Sequence, residues 1–81
     1  MSSSDLSRLA WDLASDGFVG HEADVRQVVR TARQEGVSPV LVGVLADPQE
    51  PAVARFRAFG RVAAAIDARS RGRRVLTSHA A

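Results

Sequence analysis

Between Ala32 and Leu45 the chain reads Ala32-Arg33-Gln34-Glu35-Gly36-Val37-Ser38-Pro39, then Val42 and Leu45, and this run specifies a helix, a tight turn and a second helix. Gly36 can supply the left-handed residue that follows a helix's last turn, because it has no Cβ to clash. Two residues later Ser38 is placed to cap the next helix through its hydroxyl. Pro39 then takes the first helical position, where a missing amide costs nothing. Val37 and Val42 flank that start as a hydrophobic staple. The segment Val40 to Ala46 is almost wholly apolar, and its composition alone would permit a buried strand. The Ser-Pro start and the lack of any other strand-like run make it a central, buried helix instead.

Around this fixed point three more helices can be read. The first covers about 5–15, with Ser4 as its cap and Leu6, Leu9, Ala10 and Leu13 on one stripe. Trp11 lies well off that stripe, where packing at the edge of the core is the commoner fate and a partner the other. The second covers about 21–35, its apolar stripe Val25, Val28, Val29 and Ala32, with Glu22 and Asp24 in the first turn and Arg30 and Arg33 near the end, as the helix dipole favours. The third is 39–46. Asp47-Pro48 breaks the chain, and a fourth helix spans about 51–69 with Ala52, Phe56, Phe59, Ala63 and Ile66 as its seam. Arg71 stands one turn from Asp67 and can pair with it. The fold class is therefore all-α, a compact bundle of four helices, with a core drawn from the residues named above together with Val37, Leu41, Val42 and Leu45.

The 81 residues make one domain at 1–69, near the lower limit for a core without staples, followed by a flexible, frayed and Arg-rich tail at 70–81. There is no cysteine to supply a disulfide or a thiolate metal site. No secretory leader or membrane span is apparent, so the cytoplasm is the expected location. All eleven basic residues are arginine. With alanine and valine also abundant, this reads as the codon bias of a GC-rich bacterial genome. Residues 1–68 hold seven arginines against nine acids, whereas residues 69–81 hold four arginines and no acid.

The Ala32–Leu45 run resembles the helix-turn-helix of lac-repressor-type regulators. Ala32 matches the small crossing residue, Gly36 the turn, Val37 the inward residue, Ser38 the cap, and Val42 and Leu45 the buried side of the second helix. Thr31 and Glu35 depart from the pattern, standing where apolar residues are usual. The resemblance would imply a recognition helix, but its outward positions are Pro39, Val40, Leu41, Gly43 and Val44, which carry no donor or acceptor to read bases. The stretch from Pro39 to Val62 also faintly resembles a single HEAT repeat, with an apolar helix, an Asp-Pro break and an Arg-bearing second helix. Its Val53-Ala54-Arg55 spacing departs from that family's Val-Arg pair.

Catalysis finds no foothold. His21 and His79 have no nucleophile within reach of prediction, and His21, Glu22 and Asp24 are better explained by helix-start chemistry than as metal ligands. Gly17-Phe18-Val19-Gly20 lacks the spacing and the lysine of a phosphate loop. No catalytic, cofactor or metal site is expected. The expected function is that of a small non-catalytic protein-interaction module, binding another protein or a second copy through Trp11, Val40, Leu41 and Val44. The alternative is nucleic-acid binding through phosphate contacts from Arg26, Arg30, Arg33, Arg69, Arg71, Arg73 and Arg74. Glu22, on the same stripe, is expected to pair with Arg26.

Overall fold

The computed structural model describes the backbone of residues 3–80 and the side chains of residues 4–72. Four helices follow in order: α1 (Ser3–Asp16), α2 (Glu22–Gln34), α3 (Pro39–Ala46) and α4 (Ala52–Ala80). Among the described residues there is no strand. α4 packs against all three other helices, most extensively against α3. Its 29 residues run about 43 Å at helical rise, which accounts for the 45 Å long axis of the molecule.

The turn chemistry at Gly36 holds in detail. Gly36 has φ 72°. Its amide donates to the Arg33 carbonyl at 3.3 Å, and the Val37 amide donates to that of Ala32 at 3.0 Å. This paired closure satisfies two carbonyls at the end of α2 and turns Val37 inward. Pro39 opens α3 as its sequence position requires, but the Ser38 side chain makes no capping hydrogen bond. The Ser38 backbone carbonyl does that work, accepting from the Val42 amide at 3.1 Å. α1 begins at Ser3, so Ser4 lies inside the first turn and not at its cap.

The core contains Leu6, Leu9, Leu13, Val25, Val28, Val29, Ala32, Val37, Val42, Leu45, Phe59 and Ile66, all as the apolar stripes predict. On α4 the buried face differs from the expected seam. Arg55, Ala58, Phe59, Val62 and Ile66 are buried, while Phe56 is 38% exposed and Ala63 is half-buried. At about 100° per residue the true face is rotated by roughly 60° from the predicted one. The cause is Arg55, which sits at the centre of the face that apolar spacing alone would move away from it. Phe18 is also buried. It is carried inward by a loop whose two glycines, Gly17 and Gly20, have φ of 77° and 85°.

Beyond Ser70 the backbone continues α4 to Ala80. Three arginines, Leu76 and Ala80 favour helix there, and Arg71 pairs with Asp67 at 3.3 Å, one turn back. The side chains of Arg73, Arg74 and His79 lie outside the described residues.

Candidate functional site

Arg55 is the one buried charged or polar residue among those described, 4% exposed. Its Nε donates to the Leu45 carbonyl at 3.0 Å, near the end of α3. Nη1 and Nη2 donate to Oε2 and Oε1 of Glu22, each at 2.9 Å. The Phe18 ring lies under the guanidinium at 4.3 Å, a distance at which the ring's π face attracts the cation. One side chain thus ties α4 to α2, to the end of α3 and to the α1–α2 loop. The two-pronged bond suits arginine, whose planar fork matches a carboxylate. The Arg55 hydrogen bond also holds the Glu22 carboxyl below its usual range, against an opposing push from desolvation and with help from the charges of Arg55 and Arg26. Glu22 therefore pairs with Arg55 and not with Arg26, as the spacing along α2 had suggested. No buried side-chain nitrogen or oxygen among the described residues lacks a partner.

This clasp fixes the α3–α4 hairpin and leaves an apolar surface on its outer side. Val40 is 74% exposed, and Leu41 and Val44 are half-buried. Leu41 and Val44 face Ala54, Ala58 and Gly60 of α4 across an open groove of about 450 Å³, rimmed by Arg57 and Arg61. A second groove of about 350 Å³ lies between α1 and α4, lined by Leu13, Ala14, Phe18, Val53 and Phe56, and Arg57 borders it too. The two grooves flank the same exposed ridge of α4. Trp11 is 74% exposed. Edge packing is thereby excluded for Trp11, because the α1 stripe of Leu6, Leu9 and Leu13 turns it away from the core.

A further surface is basic. Arg26, Arg30 and Arg33 line one groove of about 490 Å³ between α2 and the end of α3, with Val25, Val29 and Ala46 as its apolar wall and the Glu22–Arg55 pair at its edge. Arg69 does not join them as a free cation: it donates to the carbonyls of Ala65 at 3.2 Å and Gly36 at 3.4 Å. Arg71 is engaged by Asp67. Between α1 and α2 a fourth cleft, of about 230 Å³, gathers Asp5, Asp12 and Asp24 around Arg8. α2 thus separates an acidic flank from a basic one.

His21 is the N-cap residue of α2, its carbonyl accepting from the Val25 amide, but its side chain makes no capping hydrogen bond. Its ring lies 3.4 Å from Asp16 and 4.0 Å from Asp24. Among the described residues no three His, Asp or Glu side chains converge as metal ligands would. No described helix is long and apolar enough to cross a membrane.

Sequence reasoning groups Trp11, Val40, Leu41 and Val44 as one candidate surface and Arg26, Arg30 and Arg33 within another; in the structure Leu41 and Val44 share one groove and the three arginines another, while Trp11 and Val40 line neither. That reasoning missed Arg55, Glu22 and Phe18 as a unit. The available signal was an arginine amid the apolar face of a long helix; Phe18 between two glycines gave none, since its neighbour Val19 is exposed. No known protein-family model matches this chain, and no curated protein or solved structure matches it either.

Proposed function

We infer that this chain is a non-catalytic interaction module that associates through the face formed by α3, the outer ridge of α4 and α1. The observation that carries this reading is the exposure of Val40 beside the half-covered Leu41 and Val44 in a groove their own chain leaves open. An exposed apolar patch of this kind loses free energy in water and gains it when covered. Trp11 adds a large aromatic anchor of the type that dominates binding energy at interfaces.

The charges favour a second copy as the occupant. α1 as a whole carries Asp5, Asp12 and Asp16 against Arg8 alone, although Asp5 and Asp12 line the α1–α2 cleft, while the α3–α4 groove is rimmed by Arg57 and Arg61. Trp11 of one copy laid in the groove of another would meet apolar walls and a cationic rim, and its ring can take up a guanidinium. Gly60 leaves the α4 wall of the groove low; a Cβ added there would meet nothing within 4 Å.

Sedimentation velocity from about 1 μM to about 1 mM tests this reading. The wild-type chain is expected to shift from monomer to dimer and to remain dimeric at high salt. Trp11→Ala and Val40→Asp are expected to stay monomeric with unchanged helix content. A monomer at every concentration contradicts self-association.

A further inference from the structure

We propose that the groove between α2 and the end of α3 binds the phosphate backbone of duplex nucleic acid, without reading its sequence, through Arg26, Arg30 and Arg33. Read along α2 alone, this stripe is partly neutralised, because Glu22 stands one turn before Arg26. The structure ties that counter-ion to a further cation, although its charge still acts on Arg26. Both Glu22 oxygens are taken by Arg55 at 2.9 Å, and Arg55 comes from a different helix and is itself buried. Four arginines and one carboxylate line the groove, leaving three cations in excess. Of the other acids nearby, Asp24 lies in the α1–α2 cleft, and Asp47, at the end of α3, accepts from the Gln49 amide at 2.8 Å while its charge acts on Arg55.

The spacing and lining select the ligand. From Arg26 to Arg33 the helix rises about 10 Å, so the three guanidinium groups can meet successive phosphates along one strand. The groove wall is Val25, Val29 and Ala46, with no aromatic on which an unstacked base could lie; the Phe18 ring is occupied by Arg55. Single strands are held by such stacking. A duplex keeps its bases stacked on each other and offers only phosphates outward, which is what three arginines without a reading residue can use. This site shares no lining residue with the α3–α4 groove, so the two can be lost separately.

The test is fluorescence anisotropy of a labelled random-sequence DNA duplex titrated with the full chain across a salt series. Wild-type affinity is expected to fall with salt, and each of Arg26→Gln, Arg30→Gln and Arg33→Gln to reduce the log–log slope by about 0.9. The triple variant should lose most of the binding. Arg57→Gln/Arg61→Gln removes charge from the association face and should leave duplex binding unchanged. Circular dichroism confirms that each variant is folded. The proposal is overturned if the duplex does not bind at low salt or if the triple variant binds like wild type, which would assign binding to the C-terminal arginines. It is also overturned if inorganic polyphosphate binds in this groove while the duplex does not.

Discussion

Around Arg55 a full charge is buried, whereas around Val40 an apolar side chain stands in water; the first is 4% exposed and the second 74%. Both residues lie on the α3–α4 hairpin. The difference is one of partners. Arg55 meets a carboxylate fork, a helix-end carbonyl and an aromatic ring, so every cost of leaving water is matched by a bond on the spot. Val40 has no neighbour to cover it, because the eight residues of α3 turn Val42 and Leu45 inward and have only one face to bury. In a domain this small the four helices can enclose one side of α3 and no more. Burial here follows geometry first and residue type second.

The sharpest way to probe this contrast is to break the charged side unevenly. Glu22→Ala leaves Arg55 buried without its counter-ion and is expected to destabilise the fold by about 3 kcal/mol, at the low end for such pairs because Glu22 itself is partly hydrated. Arg55→Met replaces the cation with an apolar chain of similar length and leaves Glu22 free to hydrate, so its cost should be about 1 kcal/mol. Chemical denaturation of both variants measures the gap. Equal losses would mean that the arginine's packing, and not its charge pairing, matters.

A smaller effect is the acid response. The Glu22 pKa is lower in the folded chain than in the unfolded one. Its contribution is therefore complete above the unfolded value of about 4.3 and is lost as pH falls through the folded value. Thermal unfolding of the wild type should weaken below about pH 4, and Glu22→Gln should flatten that decline. An identical decline in both would show that other carboxylates set it.

On the apolar side the expected changes in stability are smaller still. Val40→Asp should alter monomer stability by no more than about 0.5 kcal/mol while abolishing association. Ser38→Ala should cost only a few tenths of a kcal/mol, less than the roughly 1 kcal/mol of a working serine cap, because the Ser38 hydroxyl makes no capping bond.

What the sequence discloses follows from where local chemistry decides. The Gly36 turn, the Pro39 start and the stripes of α1 and α2 depend on residues adjacent in the chain, and all are legible there. The α4 face depends on a partner 33 positions away, since Arg55 is tolerated inside only because Glu22 and the Leu45 carbonyl are waiting for it. Without that knowledge the apolar pattern selects Phe56 and Ala63 over Ala58 and Val62. The surfaces were visible residue by residue. Their separation into grooves that share no lining residue was not, because it is set by how α3 and α4 pack.

The association face can be tested directly through Trp11, which is the chain's single tryptophan in a protein with no tyrosine. Its fluorescence therefore reports that one position. The account predicts that emission moves to shorter wavelength as protein concentration rises, that the shift survives high salt, and that Val40→Asp eliminates it. Emission characteristic of a hydrated indole at every concentration, together with a monomeric mass, would contradict it.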